Sequence, residues 1–246
     1  MKHLKFAGFS LVLLVIVSVS VDTFAQTKRK KTTTNTKTTS TVSDTEINDG
    51  LKAALFQGVE NAVKSLGREN GFLDNVRVKI PLPNALQKTE KTLRVLGQGK
   101  KVDEFVESMN HAAEKAVPVA LDIFLDSVKQ MSFTDAKNIL LSKQDDAATQ
   151  FFRRTSEKRL GEKFRPIVED FTAKVGVTQK YKEMIGKYGF LGKAVGQDAG
   201  DIDGYVTQKA LDGLFLLMAD EEKKIRTNPI GRTTDLLRKV FGGIFK

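Results

Sequence analysis

The segment from Tyr205 to Arg226, YVTQKALDGLFLLMADEEKKIR, decides the fold class of this chain. Val206, Ala210, Leu214, Leu217 and Met218 recur at helical spacing, and Phe215 and Leu216 widen the stripe until the middle of the segment is apolar nearly all round. A helix of that kind needs cover on several sides. It predicts an all-α, single compact multi-helix domain, with the 205–226 helix at its centre and Leu214, Leu217 and Met218 in its core. Asp201 and Asp203 precede the helix and the acidic run Asp220 to Glu222 ends its apolar part. Lys223, Lys224 and Arg226 follow where cations suit the C-terminal end of a helix dipole.

Upstream, the same periodicity predicts a first helix over Glu46–Leu66, with Leu51, Ala54 or Leu55, Val59, Ala62, Val63 and Leu66 as its stripe and Gly67 as its stop. Val76-Arg77-Val78-Lys79-Ile80 alternates, which predicts a short strand or extended segment over 76–80. Pro81 and Pro83 end it, and the Ile80–Pro83 joint is expected to be buried against helices. Asn84 is placed to cap a helix over Ala85–Leu96, stopped by Gly97 and Gly99. A helix from Lys101 turns Val102, Phe105, Met109, Ala112 and Ala116 inward and kinks or restarts at Pro118. Ser132 and Asp135 approach a capping box, with Phe133 stapling onto Ala136, Ile139 and Leu140. Lys143 to Lys163 is the next helix, capped by Asp145 or Asp146, and Pro166 starts another that runs to Gly176. A short helix over Thr178–Tyr188, a glycine-rich loop over Gly189–Gly204 and a last helix after Asn228-Pro229 complete the expectation.

The N-terminal end has a different composition. Lys2 and Lys5 precede an almost wholly apolar run, Phe6 to Val19, and Thr23-Phe24-Ala25 is an acceptable cleavage site, so residues 1–25 read as a secretory signal peptide. The apolar run is short of the roughly 20 residues a spanning helix needs. No transmembrane segment is expected once the signal is removed. Residues 26–44 open with QTKRKKTTTNTKTTSTVS, a Thr/Lys-rich run with no core-forming residue before Val42, and read as a disordered tether. Residues 45–246 are left as the helical domain. With no cysteine in the chain, the signal is not of the lipoprotein type and the mature protein has neither disulfides nor thiol chemistry. The expected location is periplasmic or otherwise exported.

The formal charge of +10 is unevenly distributed. Losing Lys2, Lys5 and Asp22 leaves +9 on residues 26–246, and setting aside the five tether cations and Asp44 leaves +5 on residues 45–246. The folded part is only mildly basic, and no specific nucleic-acid partner is expected of it.

Few constellations carry chemistry. Gly97-Gln98-Gly99-Lys100-Lys101 lacks the glycine spacing and the Ser or Thr of a phosphate loop, and follows a helix where a strand is required. His111 has Glu107 four residues before it and Glu114 three after, an arrangement that could share one helix face. No second histidine outside the signal completes a metal pair, so it reads as a lone surface histidine. No HExxH is present, and neither catalytic residues, metal ligands nor a cofactor are assigned. Asp198, Asp201 and Asp203 lack the central glycine and terminal glutamate of a calcium loop and read as turn and capping residues. The densest basic cluster of the folded part is Arg153, Arg154, Lys158, Arg159, Lys163 and Arg165. If the domain recognises an acidic group, Arg153, Arg154 and Arg165 beside the Phe151-Phe152 wall are the candidate ligand-binding residues. Consecutive helix positions point about a hundred degrees apart, so Arg153 and Arg154 would not both touch one ligand.

FLDNVRVKIPLPNALQKTEKTLRVLGQGK, VESMNHAAEKAVP, DDAATQFFRR, EKFRPIVEDF and the 205–226 segment with NPIGRTTDLLRKVFG follow one another in an order that resembles bacterial domain of unknown function family 4197 (DUF4197), over roughly residues 47–243. Phe151, Arg153, Arg165-Pro166, Asp203, Tyr205, Asp212, Glu221-Glu222, Arg226 and Arg232 to Asp235 lie in the parts most similar to it. His111 stands where a basic residue is expected. The resemblance implies an exported, mainly helical protein and brings no known catalytic residues. The expected function is that of an exported non-enzymatic envelope protein binding a protein partner or an amphiphilic small molecule. The alternatives are an enzyme using carboxylates and arginines on a phosphorylated or cell-wall substrate, and a structural or assembly factor.

Overall fold

A computed structural model describes residues 44–176, 179, 183 and 201–227. The chain divides into two units, Met1–Ser40 and Thr41–Lys246, and the described residues belong to the second. The signal and tether expected at 1–43, the Thr178–Tyr188 helix, most of the 189–204 loop with Asp198, and the helix expected after Asn228 lie outside the described residues.

The described residues form an all-α assembly of α1 (Asp44–Leu66), α2 (Asn84–Leu93), α3 (Gly99–Ala116), α4 (Ala120–Gln130), α5 (Phe133–Leu141), α6 (Ala147–Lys174) and α7 (Ile202–Thr227). A π-helical turn, Arg94–Gln98, joins α2 to α3, and a 3-10 turn, Val117–Val119, carries the chain past Pro118 into α4. α7 is the long central helix. It packs against α1, α3 and α6, which is why Val206, Ala210, Leu211, Leu214, Phe215 and Met218 are all buried. The stripe is narrower than expected on one edge: Leu217 is only half-buried against the core and Leu216 is 37% exposed. Leu214 and Met218 are enclosed, while Leu217 packs at the edge of the core and Leu216 reaches solvent. Phe124 of α4, Phe152 of α6 and Phe215 of α7 lock the centre through edge-on ring pairs, with centroids 5.3 Å apart for Phe124–Phe152 and 6.1 Å for Phe124–Phe215.

Local boundaries depart from expectation where tertiary packing overrides a local signal. Pro166 does not start a helix; it sits inside the 28-residue α6. Leu160, Phe164 and Val168 are fully buried on one side of that stretch while Pro166 is exposed. The carbonyl freed by its missing N–H therefore lies toward water, and core packing outweighs a proline cost of about 3 kcal/mol. Asn84 is the first helical residue of α2, behind an N-cap at Pro83 with no side-chain cap. Asp146 occupies the N-cap of α6 but its carboxylate makes no cap bond, because another side chain described below already holds the first N–H groups. The Ser132–Asp135 capping box is complete, with Asp135 N–H donating to Ser132 Oγ at 3.1 Å and Ser132 N–H donating to Asp135 at 3.1 Å. Phe133 is not the staple, since it is 46% exposed.

The 67–83 connection carries the largest correction. Residues 76–78 form a turn and 79–83 an irregular run, with no strand among the described residues. The alternation is nonetheless real one register later: Val78, Ile80 and Leu82 are buried, whereas Val76 is 92% exposed. A sheet partner is replaced by one side chain. The Ile80 N–H donates to Asn110 Oδ1 at 2.8 Å and Asn110 Nδ2 donates back to the Ile80 carbonyl at 3.0 Å, closing the two bonds a neighbouring strand would supply. The Ile80–Pro83 joint is buried at Ile80, Leu82 and Pro83, as expected of a plug between helices.

Candidate functional site

The candidate arginines lie along α6, and α7 runs beside them. Arg153 stacks its guanidinium over the Phe215 ring, 4.6 Å from the centroid, with Glu157 at 3.3 Å and Asp212 of α7 at 3.9 Å. Arg165 forks onto Asp201, with bonds of 2.9 and 3.1 Å, and its Nε donates to Glu169 at 2.7 Å. These contacts hold the Arg165 guanidinium above its ordinary pKa, Glu169 first and Asp201 second. For Asp201, burial pushes the carboxyl up. The Gly204 N–H at 2.8 Å and the Arg165 fork outweigh it, and the carboxyl rests below the ordinary carboxylate value. Arg154 is exposed, with no ion pair among the described residues. Phe151 is buried edge-on against Phe152, centroids 5.7 Å apart. The structure therefore does not bring Arg153, Arg154 and Arg165 to one point. Arg153 and Arg165 fasten α6 to α7 and its leading residue Asp201, and Arg154 faces solvent.

Other residues in the parts that resemble the family do similar work along this seam. Thr172 Oγ1 donates to Asp203 at 2.6 Å, and the Tyr205 hydroxyl donates to the Pro81 carbonyl at 3.0 Å. Glu222 is buried and faces the start of α6: Ala148 N–H and Thr149 N–H donate to its two oxygens at 2.9 and 2.8 Å, and Thr149 Oγ1 adds a bond at 3.0 Å. A carboxylate at this position satisfies N–H groups that a helix start leaves without partners and complements the positive end of its dipole. Arg226, one turn on, donates to Glu222 at 2.7 Å and to the Ile139 carbonyl of α5 at 2.9 Å. One buried ion pair thus joins α5, α6 and α7. Beside it, a cavity lined by Gly58, Phe152, Met218 and Glu222 has a volume of about 20 Å³, space for a water and not for an alkyl chain.

A second arrangement is built on α3. Glu114, 4% exposed, accepts from three backbone N–H groups of the 67–83 connection, those of Asn70 (3.1 Å), Phe72 (3.0 Å) and Leu73 (3.2 Å). His111 Nδ1 lies 2.7 Å from Glu114 Oε2, and its Nε2 is 3.6 Å from Glu107. The imidazole is half-buried, where a surface residue is expected, because the 67–83 connection folds over the same turn of α3. Gly67, Glu69, His111, Glu114, Lys115 and Phe171 border an open cleft of about 340 Å³. Each ring nitrogen of His111 faces a carboxylate, Nδ1 that of Glu114 and Nε2, at longer range, that of Glu107. Among the described residues no group of three or more His, Asp or Glu side chains could hold a metal ion.

Sequence reading missed Asn110, Glu114 and Glu222 as the anchors of this architecture. A signal was present: each is a polar residue set on an apolar helical face, Asn110 and Glu114 among Met109, Ala112, Ala113 and Ala116, and Glu222 four residues after Met218. Nothing in the sequence says which backbone each would meet.

No curated protein and no solved structure matches this chain. The model of a family described as a protein of unknown function (DUF4197) matches residues 41–242, most of the chain, and the protein belongs to that family.

Proposed function

We propose that the protein is an exported, non-enzymatic envelope protein that works by binding a partner at its surface. The observation that carries this reading is the use to which its charged groups are put. Glu114 and Glu222 hold backbone, Arg165 holds Asp201 and Arg153 holds Asp212, and the cavity beside Glu222 is water-sized. No helix among the described residues is long and apolar enough to cross a membrane. Residues 1–25 supply the export signal and residues 26–44 a basic tether. Within this reading an acidic partner group would meet Arg154, the candidate arginine that faces solvent. Intact-mass measurement on protein from the native envelope tests export: a chain beginning at Gln26 is expected, and Met1 retained in a membrane fraction overturns it. Native mass spectrometry tests the binding mode. Surface binding predicts no small molecule retained in fixed stoichiometry, and a bound lipid or cofactor at one per chain overturns it.

A further inference from the structure

The corner between α2 and α3 exposes apolar side chains that the fold gives no reason to expose. Val95 is 80% and Leu96 54% exposed in the π-helical turn, directly before Gly97, whose φ of 75° kinks the chain. The left-handed glycine has nothing within 4 Å of where a Cβ would stand, so the corner projects into open space. The corner is braced from behind. Arg94 bridges Glu90 at 2.9 Å and Asp103 at 2.7 Å, tying the end of α2 to the start of α3. Those two acids are thereby occupied, and the Arg94 bond holds the Asp103 carboxyl below its ordinary value against the upward push of desolvation, with the charges of Arg94 and Lys79 adding to it. The outward-facing side chains of the corner carry more cations than acids, and the exposed Asp103 is paired with Arg94. Residues 91–102 contain Lys91, Arg94, Lys100 and Lys101 and no acid, and Lys91, Lys100, Lys101 and Lys79 are exposed. Lys100 approaches Glu104 only to 3.8 Å.

We propose that this corner is a membrane-surface anchor, in which Val95 and Leu96 enter the headgroup layer of an anionic phospholipid bilayer while Lys79, Lys91, Lys100 and Lys101 meet its phosphates. Two exposed apolar residues make too small a patch for a protein interface, which needs about 800 Å² from each partner. A shallow insertion ringed by lysines suffices for reversible binding to a charged bilayer. The inference deepens the surface-binding reading above and rests on it for where such a bilayer is met.

The chain contains no tryptophan, so Leu96→Trp gives a single-site probe. With the full-length protein and phosphatidylglycerol vesicles, its emission is expected to shift to the blue and to be quenched by brominated lipid. Phosphatidylcholine vesicles should produce neither effect, and neither should a Leu141→Trp control, which replaces an apolar residue 59% exposed elsewhere. Adding Lys91→Gln, Lys100→Gln and Lys101→Gln should weaken partitioning on the order of a hundredfold, since each lysine near an anionic surface is worth about a factor of five. Binding without a shift at position 96 would assign the membrane contact to the N-terminal segment and overturn the anchor. An equal shift at position 141 would overturn it as non-specific adsorption. Both outcomes leave the export test untouched, so failure of the anchor and failure of the export reading are told apart.

Discussion

The 67–83 connection and the α2–α3 corner are both interruptions of helix, and they treat irregular backbone in opposite ways. The first is drawn inside. Phe72, Ile80 and Leu82 are buried, and the polar backbone that enters with them is satisfied by Glu114 and Asn110, one helical turn apart on α3. The second stays outside as a π-helical turn, and surface ion pairs brace it. Irregular chain can be buried only where a helix face supplies acceptors and donors in the right places, since an unsatisfied buried peptide group costs on the order of 1–3 kcal/mol. Where no such face exists, apolar residues such as Val95 are left exposed.

The widest gap between the two regions should appear on removing their anchors. Glu114→Ala strands the N–H groups of Asn70, Phe72 and Leu73, and is expected to cost about 3–5 kcal/mol in urea unfolding followed by far-UV circular dichroism. Asp103→Ala at the outer corner, where the ion pair is solvent-exposed, should leave the urea midpoint nearly unchanged. Equal losses at the two sites would erase the distinction.

A smaller effect tests how closely the inner connection is packed. A Cβ at Gly213 of α7 would stand 2.7 Å from the Phe72 ring and 3.2 Å from Val78, so Gly213→Ala should destabilise by about 1–3 kcal/mol despite improving helix propensity. Combined with Phe72→Leu, the loss should be less than additive, because the smaller side chain removes the clash. A fully additive pair would mean that Phe72 is not what crowds the site.

The α6–α7 seam supplies a pH-dependent term. The folded-state carboxyl of Asp201 lies below its ordinary value of 3.8, so its contribution is fully present above that value and is lost as pH falls through the lower, folded one. Asp201 and Arg165 are both about half exposed, which limits the term to under about 1 kcal/mol. Asp201→Asn should flatten acid unfolding below about pH 4 and leave stability nearly unchanged in its slope at neutral pH. An unaltered acid limb in the variant would remove Asp201 from the account.

The smallest expected effect is at the surface. Arg154→Ala and Val95→Ser should each move stability by no more than about 0.5 kcal/mol, measured as the urea midpoint. Arg153→Ala, which loses the stacking on Phe215, should exceed both, at about 1 kcal/mol.

Helix existence was legible from periodicity along most of the described chain, because a stripe recurring every three to four residues reports burial wherever the partner is. The capping box at Ser132 was equally legible, since all its atoms lie within four residues. The candidate site was legible only in its residue types. Arg153 and Arg165 were visible as cations, but their neutralisation by Asp212 and Asp201 joins positions far apart in sequence.

Composition and local pattern by themselves determined the all-α class, the central place of the 205–226 helix and the absence of thiol chemistry, because these depend on residue identity and short-range spacing. Tertiary structure alone decided that α6 runs unbroken through Pro166, that a glutamate of α7 caps α6 from 74 residues away, and that the alternating segment pairs with an asparagine and not with a strand. The physical reason is the same in each case. A proline, a free N–H group or an alternating run raises a local demand that several partners could meet, and long-range packing selects which one does.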